Sequence, residues 1–270
     1  MTGFVPLEDA SSFRRMAAAM WRAPRDPSIY GTMDVDATAA LRFLADESAA
    51  TGVKLTVTHL VARAIALALR DQPELNAKVR FGGRLERRTS VDVFVTVATD
   101  GGKDLSGVRI DDADRRGLVE VAAELAGRAR GIRAGEDRAY RESRGLFARV
   151  PWWLGRAVTR VSDLLVNELH VDLAARGMPV DPFGSAMVTS VGMFGIDTAF
   201  APFVPMARCP ILLLVPEVRP RPWVVDGDRV EVRPVLRLCA TFDHRLIDGA
   251  AAGRLARRLG ELLGAPAALR

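Results

Sequence analysis

The chain has 270 residues, of which 49% are hydrophobic and 26% charged, and its formal net charge is +5. These values exclude a disordered or fibrous chain and are typical of a globular protein with a substantial core. No apolar stretch reaches transmembrane length, and the first residues lack the basic and apolar regions of a signal peptide, so we expect a cytoplasmic protein.

The two cysteines and the basic residues limit the kinds of site that can be expected. Cys209 and Cys239 lie in apolar runs and outside any Cys/His cluster, which predicts buried thiols and no metal site. The arginines are dispersed along helical patterns, and no nucleic-acid-binding motif is present, so we expect no nucleic-acid partner. The positive charge could steer an anionic ligand, such as a phosphate-bearing cofactor.

In the first half of the chain, helical and strand patterns alternate. The helix predicted at 38–51 has an apolar face made of Leu41, Leu44 and Ala45. His59 lies near the start of a strongly apolar helix and is interpreted as a structural histidine. The remaining elements are a helix at 10–22, a strand at 29–38, the apolar helix at 56–69, strands at 79–86 and 91–99, and a helix at 114–130.

The second half predicts mainly strands, and it ends in an amphipathic helix. The Asp226-Gly227 pair is a strong hairpin turn signal. No linker or repeat divides the chain, so we expect a single α+β domain over 1–270. The elements are strands at 186–191 and 211–218, a hairpin at 222–235, a strand at 236–242 and the helix at 249–264.

A candidate catalytic motif, LCATFDHRLIDG, follows the last predicted strand. His244 can exchange a proton near neutral pH, Asp248 can order the local backbone, and Gly249 allows a tight bend. Taken alone the pattern is weak, because a core histidine, a helix N-cap and a turn glycine would look the same.

Five motifs in order resemble one family, the catalytic domain of the dihydrolipoyl acyltransferases of 2-oxo acid dehydrogenase complexes. The likeness covers about residues 5–130 and 184–264. It implies the fold related to chloramphenicol acetyltransferase, a two-layer mixed sheet with flanking helices. The motifs are VTHLVARAIALALRDQPELNAKV, VDVFVTVATDGG, VTSVGMFGIDTAF, WVVDGDRVEVRPVLRL and TFDHRLIDGAAAGRLARRLGELL.

The resemblance also implies a coenzyme A-dependent acyltransferase that is a homotrimer, with active sites between neighbouring subunits. His244 matches the family's catalytic base, which takes a proton from the thiol of coenzyme A or dihydrolipoamide. Thr189 matches the hydroxyl that donates to the oxyanion, and Ser190 is the alternative if the register differs by one residue. Asp248 is expected to hold the loop around His244, with Arg14 or Arg15 as its partner.

Departures from the family pattern leave the acceptor open between a dihydrolipoyl group and a small molecule. The chain carries no lipoyl domain, so we expect no covalent lipoyl group, and a separate lipoyl-carrier protein is one candidate partner. Coenzyme A or acyl-CoA is expected as a substrate, with no metal, and the trimer could join a larger assembly. The alternative function is a non-catalytic trimeric scaffold.

An inserted helical segment is expected at about 135–183. Within it, residues 147–177 combine an apolar stripe, which includes Trp152 and Trp153, with several arginines. We expect this part to pack on the oligomer and to take no part in the chemistry. Contact with a partner or with a membrane surface is the less favoured alternative.

Overall fold

The computed structural model describes residues 11, 16, 26–99, 104–135, 150–172, 180–204 and 206–270. Most of the helix predicted at 10–22, with Arg14 and Arg15, lies outside the described residues. In these ranges, no helix combines the length and the apolar character that crossing a membrane requires.

A mixed seven-stranded sheet organises the described part of the chain, in the order β1-β9-β7-β6-β4-β5, with β8 paired to β9. Strands β6 and β7 run parallel, and β7 and β9 run antiparallel. A separate two-stranded sheet joins β2 to β3. The strands are β1 Ser28–Asp36, β2 Ala77–Val79, β3 Leu85–Arg87, β4 Val93–Thr99, β5 Asp104–Ile110, β6 Ala186–Ser190, β7 Ile211–Val215, β8 Arg219–Val225 and β9 Arg229–Asp243.

Helices cover one face of the large sheet and enclose the main core. The central helix is buried along nearly all of its length, because its sequence VTHLVARAIALALRD is apolar on every side. It packs against the last helix, and both contact the sheet. The predicted α+β fold class, a sheet with flanking helices, is therefore confirmed. The helices are α1 Thr38–Thr51, α2 Val57–Asp71, α3 Leu118–Arg133, α4 Trp152–Asp163 and α5 Gly249–Gly264.

The opposite face of the sheet carries a smaller apolar cluster. Met187 of β6 and Leu212 of β7 pack there against Ala207 and Cys209. The loop that contains these last two residues is tied to β9, because the Thr241 hydroxyl donates to the carbonyl of Ala201 at 2.9 Å. Both cysteines are free and buried, as predicted.

Several elements differ from the sequence predictions. The expected break at 235–236 is absent, because β9 continues through it and pairs with β8 on one part of its length and with β1 and β7 on the other. The buried face of α1 is formed by Ala40 and Leu44, whereas Leu41 and Ala45 are exposed. Helix α3 begins at Leu118 and not at 114, because the Glu120 carboxylate accepts from the Gly117 N–H.

The segment around α4 is helical and continues from α4 into a π-helical turn over Leu164–Glu168. We call residues 150–172 the α4 segment. Val166 and Asn167 are buried in it, whereas the side chain of Trp153 is 64% exposed. The Asn167 amide donates to the carbonyl of Met206 at 3.0 Å, so the segment packs on the loop that covers the smaller cluster.

Candidate active site

A short turn after β9 presents His244 at the protein surface. The His244 N–H donates to the carbonyl of Pro27 at 2.9 Å, which ties the turn to the chain entering β1. The buried Asp243 carboxylate accepts from the backbone and side chain of Arg245 at 3.0 and 2.9 Å. The Ile247 side chain is fully buried below the turn. These contacts fix the backbone on both sides of His244, while its ring stays exposed.

Asp248 is the N-cap of α5, since its Oδ1 accepts from the Ala251 N–H at 2.8 Å. It therefore orders the backbone that follows His244, as an N-cap aspartate does by satisfying a free helix amide. The expected partners Arg14 and Arg15 lie outside the described residues. The prediction of a tight bend at Gly249 is wrong, because Gly249 is the first helical residue and its φ is not positive.

Thr189 and Ser190 point to opposite faces of the sheet, because successive side chains of a strand alternate. Val188 lies in the main core on the helical side, and Met187 lies in the cluster on the other side. Ser190 therefore shares the helical face with Val188. Thr189 shares the opposite face with Met187, and both hydroxyl-bearing residues are half-buried.

His244 and Thr189 lie at opposite ends of the sheet within one chain. Thr189 is level with Leu214 of β7, and Leu214 is level with Cys239 of β9. His244 follows Cys239 by five residues, so the two sites are about 17 Å apart along the strands at roughly 3.4 Å per residue. Two strand spacings, about 10 Å together, separate them sideways. Their side chains cannot meet within one subunit.

The other two histidines have structural surroundings. Nδ1 of the buried His59 accepts from the Thr56 N–H at 3.3 Å, and Thr56 Oγ1 accepts from the His59 N–H, so the pair caps α2. Burial lowers the pKa of His59 to about 4. Nε2 of His170 lies 3.3 Å from Glu86 of β3. The interpretation of His59 as structural is confirmed.

A cleft of about 460 Å³ lies beside the His244 turn, and Asp243 and Arg245 line one side of it. The chain before β1, the β2–β3 hairpin, and residues 202–204 and 208–209 form the other sides, and Asp163 at the end of α4 completes the wall. Cys209 also lines the cleft, but burial raises the pKa of its thiol to about 12. A thiol with that pKa is a poor nucleophile near neutral pH.

Two arginines of the cleft are held by carboxylates of the α4 segment. Nη2 of Arg208 lies 2.7 Å from Oδ2 of Asp163, and Nη1 of Arg208 contacts Glu168. Nε of Arg80 lies 3.1 Å from Oε2 of Glu168, whose other oxygen accepts from the Phe81 N–H at 2.8 Å. Sequence reasoning missed this network, because its members come from distant parts of the chain with no shared motif.

No group of three histidine, cysteine, aspartate or glutamate side chains that could hold a metal ion occurs in the described ranges. The chemistry that the turn and β6 offer is that of an imidazole and a hydroxyl. The imidazole can move a proton, and the hydroxyl can donate a hydrogen bond to a developing negative charge.

Comparisons with known proteins agree with the motifs. The family model "2-oxoacid dehydrogenases acyltransferase (catalytic domain)" matches residues 8–144 and 183–270, and leaves the α4 segment unmatched. A curated relative is the dihydrolipoyllysine-residue acetyltransferase component of the pyruvate dehydrogenase complex of Pseudomonas aeruginosa. It is 30% identical over 213 residues, which are 78% of this chain and 31% of the relative, so the chain spans about a third of that protein.

Two similar solved structures have a TM-score of 0.68 and 28% identity, and each comparison covers 91% of this chain and 84% of the other. One is the cubic core of the pyruvate dehydrogenase multienzyme complex. The other comes from a study of a serine, a histidine and an asparagine in the catalytic mechanism of the Azotobacter vinelandii dihydrolipoamide acetyltransferase. With a family match over most of its length, this chain belongs to the family of 2-oxoacid dehydrogenase acyltransferase catalytic domains.

Proposed function

We propose that this chain transfers an acyl group between a thioester and a thiol, with coenzyme A as one of the two thiols. The observation that carries the proposal is the His244 turn, which presents an exposed imidazole on a fixed backbone in a chain of this family. The carrier of the second thiol is a dihydrolipoyl group on a separate protein or a small acceptor.

In this reaction, His244 takes the proton from the attacking thiol. The thiolate adds to the thioester carbonyl, and the oxyanion that forms accepts a hydrogen bond from the Thr189 hydroxyl. The intermediate then collapses, and the carbon–sulfur bond to the thiol that carried the acyl group breaks. The thiolate that leaves takes the proton from His244. The base thus leaves the cycle unchanged, as general acid–base catalysis requires.

The spacing of the motif supports these roles. In the Azotobacter vinelandii enzyme, the histidine and the asparagine that were studied are four residues apart. His244 and Asp248 have the same spacing here, with an aspartate in place of the asparagine. Asp248 acts through the backbone that it caps, so we assign it a positioning role. Thr189 is favoured over Ser190, because it shares a face of the sheet with Met187, which packs against Cys209, and Cys209 lines the cleft beside the His244 turn.

The separation of about 17 Å along the strands implies that the site forms between two copies of the chain. We therefore propose a homotrimer in which His244 of one subunit faces Thr189 of its neighbour. Such a head-to-tail contact closes into a ring when the rotation between copies allows it. A larger assembly of trimers is compatible with the similarity to a cubic core.

The β8–β9 hairpin offers a surface for this association. One of its faces is entirely apolar, and all of its residues except the half-buried Pro234 are exposed in the single chain. Charged residues such as Arg221 and Glu231 occupy the other face. Val232 is 74% exposed and lies opposite Pro222. A contiguous exposed apolar face of this kind usually marks a contact site. The face consists of Pro220, Pro222, Val224, Val230, Val232 and Pro234.

The direct test measures acetyl-CoA consumption by the purified protein with dihydrolipoamide, and then with a panel of small thiols. We expect the His244→Ala variant to lose about 10²–10⁴-fold in rate, the usual contribution of a general base. The His170→Ala variant is the matched control and should keep its activity. A folded trimer without thioester turnover would contradict the proposal and favour the scaffold alternative.

A further inference from the structure

The cleft beside His244 contains three arginines, and each of them is paired with a carboxylate. Arg245 pairs with Asp243 at 2.6 Å. Arg208 and Arg80 pair with Asp163 and Glu168 in the contacts described above. Among the described residues that line the cleft, no guanidinium is therefore left unpaired for an anionic ligand.

Both carboxylates that pair with Arg208 belong to the α4 segment, which lies outside the family match. Arg80 pairs with Glu168 of that segment and also with Glu86 of β3, at 3.2 Å. The side chains of Arg80, Arg208 and Glu168 are at most 15% exposed, so solvent screens their pairing only weakly. Burial acts to raise the pKa of Glu168, but hydrogen bonds from Arg208, the Phe81 N–H and Arg80 hold it below its usual value. Glu168 is therefore ionised near neutral pH.

The pairing decides which charge the cleft accepts. An incoming carboxylate would face Asp163 and Glu168 and would have to displace one of them to reach a guanidinium. An uncharged group displaces neither, and it can contact the apolar side chains of Pro202, Phe203 and Val204 in the same cleft. Without the two carboxylates, the nearly buried Arg208 would instead favour an anion, while Arg80 would keep its pair with Glu86.

We propose that Asp163 and Glu168 are specificity-determining residues, which make the cleft beside His244 accept an uncharged acyl group and reject one that ends in a carboxylate. This inference rests on the proposed acyl transfer and adds the substrate class. It also assigns a role in selectivity to the α4 segment, for which the sequence had favoured packing on the oligomer.

The test compares acetyl-CoA with succinyl-CoA on the intact protein and on the Asp163→Asn and Glu168→Gln variants. Two quantities are measured: kcat/KM with dihydrolipoamide, and equilibrium binding by calorimetry without any acceptor. We expect the wild type to prefer acetyl-CoA, and each variant to improve succinyl-CoA relative to acetyl-CoA by roughly ten- to hundredfold, the range for one charged hydrogen bond. Glu124→Gln is the matched control, because Glu124 pairs with Arg128 on α3, away from the cleft.

A wild-type preference for succinyl-CoA would overturn the inference. An unchanged succinyl-to-acetyl ratio in both variants, with circular dichroism showing that they are folded, would also overturn it. If the wild type turns over neither thioester but the variants shift the binding preference, the proposed activity fails and the selectivity stands. If Glu168→Gln disturbs the packing of the α4 segment and Asp163→Asn does not, the Asp163→Asn variant still tests the inference.

Discussion

The proposed division of the active site between subunits can be tested by mixing two inactive variants. His244→Ala removes the base from one end of the sheet, and Thr189→Ala removes the hydroxyl from the other end. Each homotrimer then lacks one group at every interface. In a mixed trimer, an interface is complete when an intact His244 of one subunit faces an intact Thr189 of the next.

The register of the sheet determines how much activity the mixed trimers should recover. Because about 17 Å along the strands separates the two groups in one chain, no subunit can complete its own site. In a ring of three that contains both variants, in either ratio, about one interface in three receives both intact groups. Mixed trimers should therefore recover about a third of the wild-type rate, whereas each variant alone keeps at most about a hundredth.

The assay is the rate of acetyl-CoA consumption by trimers co-expressed with two different affinity tags and purified through both. A mixture of the two separately assembled homotrimers is the control, and it should stay inactive as long as the subunits do not exchange. Activity of the co-expressed trimers no higher than that of this control would refute the shared site. If Thr189→Ala keeps full activity and Ser190→Ala is inactive, the hydroxyl of the active site belongs to Ser190, one residue further along the strand.

Three further predictions concern assembly and pH. The double variant Val230→Lys, Val232→Lys should leave the protomer folded but prevent trimer formation, because it places charges on the apolar face of the hairpin. Light scattering should then give the mass of a monomer in place of that of a trimer. Asp228→Lys, at the tip of the hairpin, is the control. As pH falls from about 6.5 to 4, His59 should reduce the free energy of unfolding by about 3 kcal/mol, because only the unfolded chain takes up its proton there. The His59→Gln variant should lack that pH dependence when the free energy of unfolding is measured by urea titration. An equal pH dependence in the wild type and the variant would contradict the prediction. The pKa of Glu168 is lowered, so its carboxylate stabilises the docked α4 segment at neutral pH, and this stabilisation is lost as acid protonates it. Hydrogen exchange at the amides of Val166 and Asn167 should therefore become faster below about pH 4, the usual range in which carboxylates titrate. An exchange rate at these amides that shows no such rise would contradict this prediction.

The elements that the sequence predicted well carry their own local signals. Helix α5 begins where Asp248 caps it, and the Asp226-Gly227 turn joins β8 to β9. Strand β5 was not predicted, because DLSGVRI has only a short alternation at its end. Its conformation depends on pairing with β4. Gly107 of β5 lies so close to Phe94 of β4 that a Cβ at this position would be 2.1 Å from the Phe94 ring. Such dependence on a neighbouring strand is typical of strand formation.

The candidate site shows the same division between local and distant information. The turn that holds His244 is encoded in six consecutive residues, which cap a helix, bury an isoleucine and place a carboxylate next to an arginine. The cleft beside it could not be predicted in this way. Arg80, Asp163 and Arg208 come together only after the hairpin, the α4 segment and the loop before β7 have folded against one another.

The proposed contact between subunits would explain three features that look unrelated in the single chain. His244 is exposed, although a general base works best where water is excluded. Thr189 lies out of its reach at the other end of the sheet. The apolar face of the β8–β9 hairpin is exposed, although burying one valine contributes about 1.5–3 kcal/mol. A neighbouring subunit that covers the hairpin of one chain and brings its own Thr189 to the His244 turn would bury the valines, shield the imidazole and complete the site. Assembly and catalysis would then depend on the same interface, so a substitution that weakens the trimer should lower the rate even when it lies far from the thioester.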